Sequence, residues 1–229
     1  MIVEERMKTY INSLDMGNTP FLQELESRAL ADRVPIIRRD MQSFMRMLLA
    51  VKQPKRILEV GTAVGFSTLL MCEYGPKDLK IVTIENYEKR IPVAKDNFRR
   101  AGRESQITLL EGDAGEILKT LTGTFDMITS NPPYIPTKVI EELEAEVRLH
   151  DPYEALDGKE DGLYFYRILA EKIPEYLTDG GWLVMEIGYD QSADVEKLLK
   201  ETGFEQVSTQ KDLAGLDRVV CGVYNRRSK

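Results

Sequence analysis

From residue 56 onward the chain alternates short apolar runs with longer helical stretches, and this alternation constrains the fold more than any other feature. Each apolar run has the length and the β-branched content of a buried strand. Parallel neighbours in a sheet need helical crossovers such as the stretches between these runs. The sequence therefore predicts an α/β protein with a doubly wound, mostly parallel sheet. The predicted strands are 56–60, 80–84, 107–110 and 125–129, and the predicted helices between them are 66–74, 87–101 and 115–121.

The rest of the chain flanks or extends this sheet. Runs 204–210 and 218–224 alternate apolar with polar residues and predict a closing antiparallel hairpin, which brings the sheet to seven strands. We expect a helical extension over 1–52 and one α/β domain over 53–229. The remaining predicted elements are helices at 21–31, 36–51, 163–177 and 190–202, a Gly-Gly turn at 180–181 and a strand at 182–187.

A glycine turn joins the first strand to its helix. Gly61 and Gly65 let the backbone approach a ligand, and the N–H groups of the following helix face it. The second strand ends in Glu85, about 25 residues after the first glycine, where a carboxylate can accept two ribose hydroxyls. A Rossmann oxidoreductase opens with the same elements. However, the third glycine of its longer turn is missing here, and Glu59 precedes the turn, which disfavours that class.

The fourth strand runs into Asn131-Pro132-Pro133-Tyr134, a loop that two prolines make stiff and extended. The loop lies at the carboxyl end of a strand, where open α/β sheets bind ligands. The Asn131 amide and the freed backbone carbonyls offer acceptors that can hold an NH₂ group. The alternative is a strand that ends in prolines with an asparagine turn.

Composition and charge limit the classes of partner. The formal charge of −7 argues against broad binding to nucleic acid, whose affinity comes mostly from Lys and Arg on phosphates. Residues 28–56 are basic against this background, and either a tRNA contact or a solvated helix face explains them. Two cysteines in apolar runs, Cys72 and Cys221, and the lack of a membrane-length apolar run or a signal peptide predict a cytoplasmic protein without membrane contact. The oligomeric state stays open, with a homodimer among the options.

The glycine turn, Glu85 and Gly112-Asp113-Ala114 together look like the cofactor motifs of class I S-adenosylmethionine-dependent methyltransferases. The resemblance implies S-adenosylmethionine as the cofactor. It places residues 61–65 beside the methionine moiety, Glu85 at the ribose, and Asp113 with Ala114 at the adenine. The cofactor-binding residues that it implies are Glu59, Gly61, Thr62, Ala63, Val64, Gly65, Ser67, Glu85, Asp113, Ala114 and Asn131.

Residues 125–224 resemble the PrmC/HemK family, which methylates the glutamine of the Gly-Gly-Gln motif in peptide chain release factors. The resemblance implies that Asn131 Oδ1 and the Pro132 carbonyl accept the two amide hydrogens of that glutamine, with Pro133 and Tyr134 completing the substrate-binding and catalytic loop. The departures are Lys159 in place of a second glycine and Asp151 in place of a glutamate. The motifs that carry the resemblance are residues 130–135, 146–148, 151–152 with 155–156, 161–163, and 212–215 with 217–218.

Residues 1–124 look like a second family, the cation-dependent O-methyltransferases related to TrmR, on residues 33–37, 59–67 and 84–85. That family places a metal-binding aspartate after its fourth strand, where this chain has Asn131. A single neutral Asn is a poor ligand for a hard cation, so we expect no metal. The chain thus reads as a junction of two methyltransferase subfamilies near residue 125, natural or constructed. The alternatives to amide methylation are O-methylation of a tRNA wobble hydroxyuridine or of a catechol-like molecule, and a non-catalytic cofactor-binding chimera.

Overall fold

The structure is a computed structural model that describes residues 17–143 and 152–226. Three features of the sequence analysis lie outside these ranges. They are the first part of the N-terminal extension, the motif at residues 146–148, and Asp151.

The seven strands of the described ranges form one sheet. They are β1 Arg56–Val60, β2 Lys80–Glu85, β3 Ile107–Glu111, β4 Phe125–Ser130, β5 Leu177–Glu186, β6 Phe204–Lys211 and β7 Asp217–Tyr224. Their order is β3-β2-β1-β4-β5-β7-β6. The first five strands are parallel neighbours, and β7 runs antiparallel between β5 and β6. The α/β class, the mostly parallel sheet and the closing antiparallel hairpin are therefore confirmed.

Helices lie before and between the strands. In chain order they are α1 Pro20–Ala31, α2 Arg39–Lys52, α3 Phe66–Tyr74, α4 Ile91–Arg100, α5 Ala114–Thr120, α6 Thr137–Ile140, α7 Tyr153–Leu156, α8 Tyr164–Lys172 and α9 Ser192–Glu201, with a 3₁₀ helix at Ile173–Tyr176. None of the helices in the described ranges is both long and apolar enough to cross a bilayer.

Prolines explain two differences from the predicted boundaries. Helix α4 begins at Ile91 rather than at residue 87, because Pro92 fits the first turn of a helix but not its interior. Helix α8 ends at Lys172 rather than continuing to residue 177, because Pro174 opens a separate 3₁₀ turn. The predicted Gly-Gly turn lies inside β5. There the register against β4 shifts between the pairs Phe125–Leu177 and Met127–Trp182, which leaves residues 178–181 as an irregular insertion.

The two faces of the sheet are covered by different parts of the chain. Leu48 and Leu49 of α2 belong to the same buried cluster as Ile57 of β1, so the N-terminal helices share a core with the sheet. On the other face, Leu169 of α8 and Leu199 of α9 are buried in one cluster with the inner residues of β1, β4 and β5. Burying each such side chain contributes about 1.5–3 kcal/mol.

Candidate active site

The glycine turn at residues 61–65 is held by the end of β2. The N–H groups of Gly61 and Thr62 donate to the Ile84 carbonyl at 3.0 and 3.2 Å. Gly61 and Gly65 have φ angles of 103° and 81°, which disfavour any other residue. A Cβ on Gly65 would come within 2.4 Å of the Phe98 ring, whereas a Cβ on Gly61 would meet nothing within 4 Å. Gly65 therefore serves close packing, and Gly61 borders an open space above the turn.

Glu59 lies beneath this turn and is 3% exposed. Its carboxylate accepts hydrogen bonds from the hydroxyls of Ser67, Thr68 and Thr83, and the Thr62 and Thr83 hydroxyl oxygens are 2.6 Å apart. Burial raises the pKa of Glu59, and the three hydroxyls oppose that rise. The structure thus gives Glu59 and Ser67 an internal role, fastening α3 and β2 to the turn. Direct contact of either side chain with a cofactor stays a prediction.

Glu85 stands at the rim of the same space, 8% exposed, at the end of β2. One carboxylate oxygen accepts a hydrogen bond from the Ala63 N–H at 2.6 Å and the other accepts from the Tyr87 N–H at 2.8 Å. Each oxygen keeps lone-pair capacity for a further donor. Two backbone N–H groups therefore fix the carboxylate in one orientation, which suits a ligand that presents a pair of hydroxyls.

The third segment of the predicted cofactor site, Gly112-Asp113-Ala114, follows β3. The Gly112 N–H donates to the Glu85 carbonyl at 2.8 Å, so the segment adjoins the end of β2. Asp113 is exposed and caps helix α5, where its carboxylate accepts from the Glu116 N–H at 3.0 Å. Ala114 begins that helix. The placement beside Glu85 agrees with a role at an adenine ring, which stays a prediction for both residues.

The proline loop after β4 forms the other half of the site. Ser130 pairs with Val60 of β1 and with Met185 of β5, so Asn131 leaves the sheet between the cofactor turn and the end of β5. Pro132 is buried, whereas Asn131 is exposed. The Asn131 side chain makes no hydrogen bond with the described parts of the protein. As far as the described residues are concerned, its amide can therefore bind an outside group.

Sequence motifs that follow the loop hold it in place. Ile135 donates to the Leu156 carbonyl at 3.0 Å, and Gly158 donates back to the Ile135 carbonyl at 2.8 Å. A Cβ on Gly158 would lie 2.7 Å from the Tyr134 carbonyl carbon. One on Gly162 would lie 2.4 Å from the Tyr134 oxygen. These two glycines are therefore needed for backbone contact with the loop, a role that their sequence motif alone did not reveal.

Asp157 fastens the same segment, and Lys159 acts as its partner. The Asp157 carboxylate accepts from the Thr137 hydroxyl at 2.6 Å, the Lys159 N–H at 3.0 Å and Lys159 Nζ at 2.8 Å. The hydrogen bonds from Lys159 and Thr137 lower the pKa of Asp157. Lys159, which replaces the second glycine of the resembling family, thus supplies a cation for Asp157. Its φ of 69° lies in the left-handed region that favours glycine.

A charged cluster lies behind Tyr134, and its residue Glu186 was not among the predicted site residues. This half-buried carboxylate ends β5 as Glu85 ends β2. Burial raises the pKa of Glu186, nearby Arg218 and Arg38 oppose the rise, and Asp40 adds to it. Burial likewise raises the pKa of Tyr134, and the Glu186 charge adds to that rise. Glu186, like Glu85, is an acid at the end of a predicted strand, and this pattern could have identified it.

The cations and the aspartates of this cluster are engaged with each other or with the backbone. Arg218 donates to Asp212 at 3.1 Å and Arg38 lies 3.5 Å from the same carboxylate. Burial by itself would raise the pKa of Asp212, but hydrogen bonds from Leu216, Arg218 and Ala214 hold that pKa below its usual value. The Leu213 N–H donates to Asp40 at 3.0 Å, which joins the start of α2 to the loop between β6 and β7.

Many cations of the basic stretch 28–56 serve internal contacts. Arg39 pairs with Glu26, Lys52 Nζ donates to the Gly180 carbonyl at 2.6 Å, and Arg56 lies 4.8 Å from the centre of the Phe125 ring. This favours structural roles for these side chains. Within residues 17–143 and 152–226, no group of three or more His, Cys, Asp or Glu residues is arranged to hold a metal ion.

Comparison with known proteins gives two kinds of similarity. The family model described as O-methyltransferase matches residues 12–131. Among curated proteins, the release factor glutamine methyltransferase of Caulobacter vibrioides is 43% identical over 170 residues, which is 74% of this chain and 57% of that protein. The enzyme of the same name from Clostridium botulinum is 43% identical over 165 residues, 70% of this chain and 54% of that protein. The chain thus spans just over half the length of these relatives.

Solved structures show the same fold at low identity. The O-methyltransferase from Bacillus cereus, in complex with SAH, gives a TM-score of 0.71 at 16% identity and covers 96% of this chain and 97% of its own. The O-methyltransferase TomG from Streptomyces achromogenes, in complex with SAM, gives a TM-score of 0.69 at 19% identity and covers 98% of this chain and 100% of its own. Both cover essentially the whole of this chain, N-terminal helices included.

Proposed function

Because the chain belongs to the O-methyltransferase family and is a class I S-adenosylmethionine-dependent methyltransferase, we propose that it methylates a side-chain amide, that of the glutamine in the Gly-Gly-Gln motif of release factors. One observation carries the proposal. The exposed amide of Asn131 has no partner among the described residues, and it stands on a loop that its neighbours hold rigidly beside the cofactor turn. A rigid loop with free acceptors suits a substrate that presents an NH₂ group.

The cofactor half fits S-adenosylmethionine on two observations. Open space lies above Gly61, and the Glu85 carboxylate is fixed at its rim with lone pairs to spare. Glu85 would hold the ribose, residues 61–65 the methionine moiety, and Asp113 with Ala114 the adenine. When bound, the cofactor supplies an electrophilic methyl group.

The residues of the proline loop, hereafter the acceptor loop, must orient the substrate amide. An amide nitrogen is a weak nucleophile, because its lone pair is delocalised into its carbonyl. Asn131 Oδ1 and the Pro132 carbonyl would accept the two amide hydrogens and aim the nitrogen at the methyl group. Both acceptors also favour the partial positive charge that develops on nitrogen in the transition state. Tyr134, which is half-buried, would pack against the planar amide.

The curated relatives support the release factor as substrate, because their names state that activity and their identity to this chain reaches 43%. The chain spans only 57% of the Caulobacter protein, so recognition of a whole release factor is part of the proposal. The O-methyltransferase family model favours a second candidate, methyl transfer to a hydroxyl of tRNA or of a small molecule. The internal contacts of the basic stretch weaken the tRNA form of that candidate.

Transfer of radiolabelled methyl groups separates these candidates. Purified enzyme is incubated with labelled cofactor and with release factor, release factor carrying Glu in place of the motif glutamine, or bulk tRNA, each with and without chelator. We expect label only on the release factor that retains the glutamine. Label on tRNA, or equal label on both release factors, would overturn the proposal.

A further inference from the structure

The side chain of Gln191, just before α9, contacts three separate segments at the acceptor side. Its Nε2 donates to the Tyr134 carbonyl at 2.9 Å and to the Gly162 carbonyl at 3.4 Å. Its Oε1 accepts from the Gly188 N–H at 3.0 Å. The residue is 8% exposed. Three loops thus meet on one buried amide group.

The backbone packs closely around the Gln191 side chain at two glycines. A Cβ on Gly162 would lie 2.6 Å from Gln191 Nε2, and a Cβ on Gly188 would lie 2.8 Å from Gln191 Oε1. The backbone adds two bonds, from Gln191 N–H to the Gly188 carbonyl and from Val195 N–H to the Gln191 carbonyl, at 3.1 and 3.0 Å. The side chain is therefore fixed to the start of α9, a rigid ten-residue helix.

The proline loop needs a donor from outside itself. Pro132 and Pro133 have no N–H, so these two residues can be held only through their carbonyls and side chains. Between the Pro132 and Tyr134 carbonyls the φ of Pro133 is fixed, so once the Tyr134 carbonyl is anchored only the ψ of Pro133 and the two torsions of Tyr134 can turn. The direction of the Tyr134 carbonyl therefore limits the direction of the Pro132 carbonyl.

We propose that Gln191 is a positioning residue for methyl transfer, which aims the acceptor loop by holding the Tyr134 carbonyl. The inference rests on the proposed function, because it assigns Gln191 to the loop that would grip the substrate amide. Its effect is on orientation, so it should change the rate of transfer and leave cofactor affinity alone.

Gln106 provides a matched control. Its Nε2 also donates to two backbone carbonyls, of Lys77 and Leu79, at 3.1 and 3.3 Å, and its Oε1 accepts from Arg103 at 2.8 Å. It precedes β3 and so lies at the amino end of that strand, whereas the site lies at the carboxyl ends of the strands. Replacing it removes the same kind of bonds without touching the acceptor side.

The experiment compares Gln191→Met, Gln191→Glu and Gln106→Met. Methionine keeps the length and removes the hydrogen bonds, whereas glutamate keeps the acceptor for Gly188 but turns an oxygen toward two carbonyls. We expect both Gln191 variants to lower kcat about tenfold or more on release factor, with the cofactor Kd within about twofold of the parent. Gln106→Met should keep the parent kcat.

Hydrogen exchange supplies a readout that does not need turnover. The amides of Ile135 and Gly158, which close the loop, should exchange faster in Gln191→Met and Gln191→Glu than in the parent and in Gln106→Met. Parent kcat in the Gln191 variants, or the same loss of kcat in Gln106→Met, would overturn the inference. A parent enzyme that leaves release factor unlabelled would instead refute the proposed function. Unchanged exchange at Ile135 would still refute the anchoring role of Gln191.

Discussion

The site at the carboxyl ends of the strands has two halves, which use their polar groups differently. The cofactor half is the glycine turn with Glu85, and the acceptor half is the proline loop with the segments that hold it. In the cofactor half, the protein already holds the carboxylate of Glu59 with three donors and that of Glu85 with two. In the acceptor half, the backbone is braced at residues 134–135 and 158–162, while the Asn131 side chain is left without a partner in the described structure. In the cofactor half the polar side chains themselves are held in place, whereas in the acceptor half the loop backbone is held and the Asn131 side chain is not. The difference indicates that specificity for the acceptor depends on very few side chains.

The comparisons with known proteins divide along similar lines. The O-methyltransferase family model ends at residue 131, where the acceptor loop begins. The 170-residue match to the Caulobacter glutamine methyltransferase is too long to fit between residues 125 and 229, so it includes part of the cofactor half. The two resemblances therefore overlap in the cofactor half. The acceptor half is where a choice between amide and hydroxyl substrates must be made.

The largest effect should come from the Asn131 amide, which has no partner in residues 17–143 and 152–226. We expect Asn131→Ala to lower kcat on release factor about 10²-fold or more, because an acceptor that strengthens in the transition state is lost. Cofactor Kd should change only a few-fold, which calorimetry can measure. Asn131→Asp is the sharper variant, because it keeps an acceptor but adds charge and loses the NH₂ donors. Parent-like kcat in Asn131→Ala would leave the loop a simple strand terminator.

The reverse pattern is expected in the cofactor half. Glu85→Ala should weaken S-adenosylmethionine binding at least tenfold, because two charge-assisted hydrogen bonds of about 1.5–3 kcal/mol each are lost. Glu85→Gln keeps an acceptor for the Ala63 N–H or the Tyr87 N–H, so it separates ligand contact from support of the turn. An unchanged Kd in Glu85→Ala, with native circular dichroism, would remove Glu85 from the ribose site.

A smaller, pH-dependent effect should follow from Glu186→Gln. Burial raises the pKa of this carboxyl in the folded protein. The folded state therefore binds its proton more tightly, and stability falls as the pH rises through that folded pKa. The variant should be more stable than the parent at pH 8, with Tm higher by about 2–4 °C for each kcal/mol of burial cost removed. The gain should disappear below about pH 4, the range of an unfolded glutamate.

Exposed Glu160 is the control for this measurement. Glu160→Gln should change the Tm equally little at both pH values. A Glu186→Gln variant that is less stable than the parent at pH 8 would show that attraction to Arg218 and Arg38 outweighs burial.

The smallest effect should be that of metal removal. Asn131 stands where a cation-dependent enzyme would need a carboxylate, so EDTA and Mg²⁺ should each leave the rate of methyl transfer unchanged. Loss of activity in EDTA and its return with Mg²⁺ would favour the hydroxyl-directed candidate and weaken the contrast between the halves.

Sequence reasoning found the parts of the molecule that depend on local pattern. The alternation of strands and helices, the glycine turn and the proline loop all follow from spacing and backbone chemistry within a few residues. The internal role of Glu59 and the contacts of Gln191 do not. Gln191 meets Tyr134 across 57 positions, and no local signal encodes which carbonyl its amide will reach. The insertion within β5 was also missed, because a Gly-Gly pair is equally consistent with a turn before a strand.

The position of β7 has a consequence for how the chain is made. Of the seven described strands it is the last in chain order, yet it pairs with β5 on one side and with β6 on the other. Until residues 217–224 have left the ribosome, β5 presents an unpaired edge that includes the apolar Leu183, Val184 and Met185. The sheet therefore cannot close in the order of translation. A chain that stops short of β7 would expose a strand edge of the kind that drives aggregation.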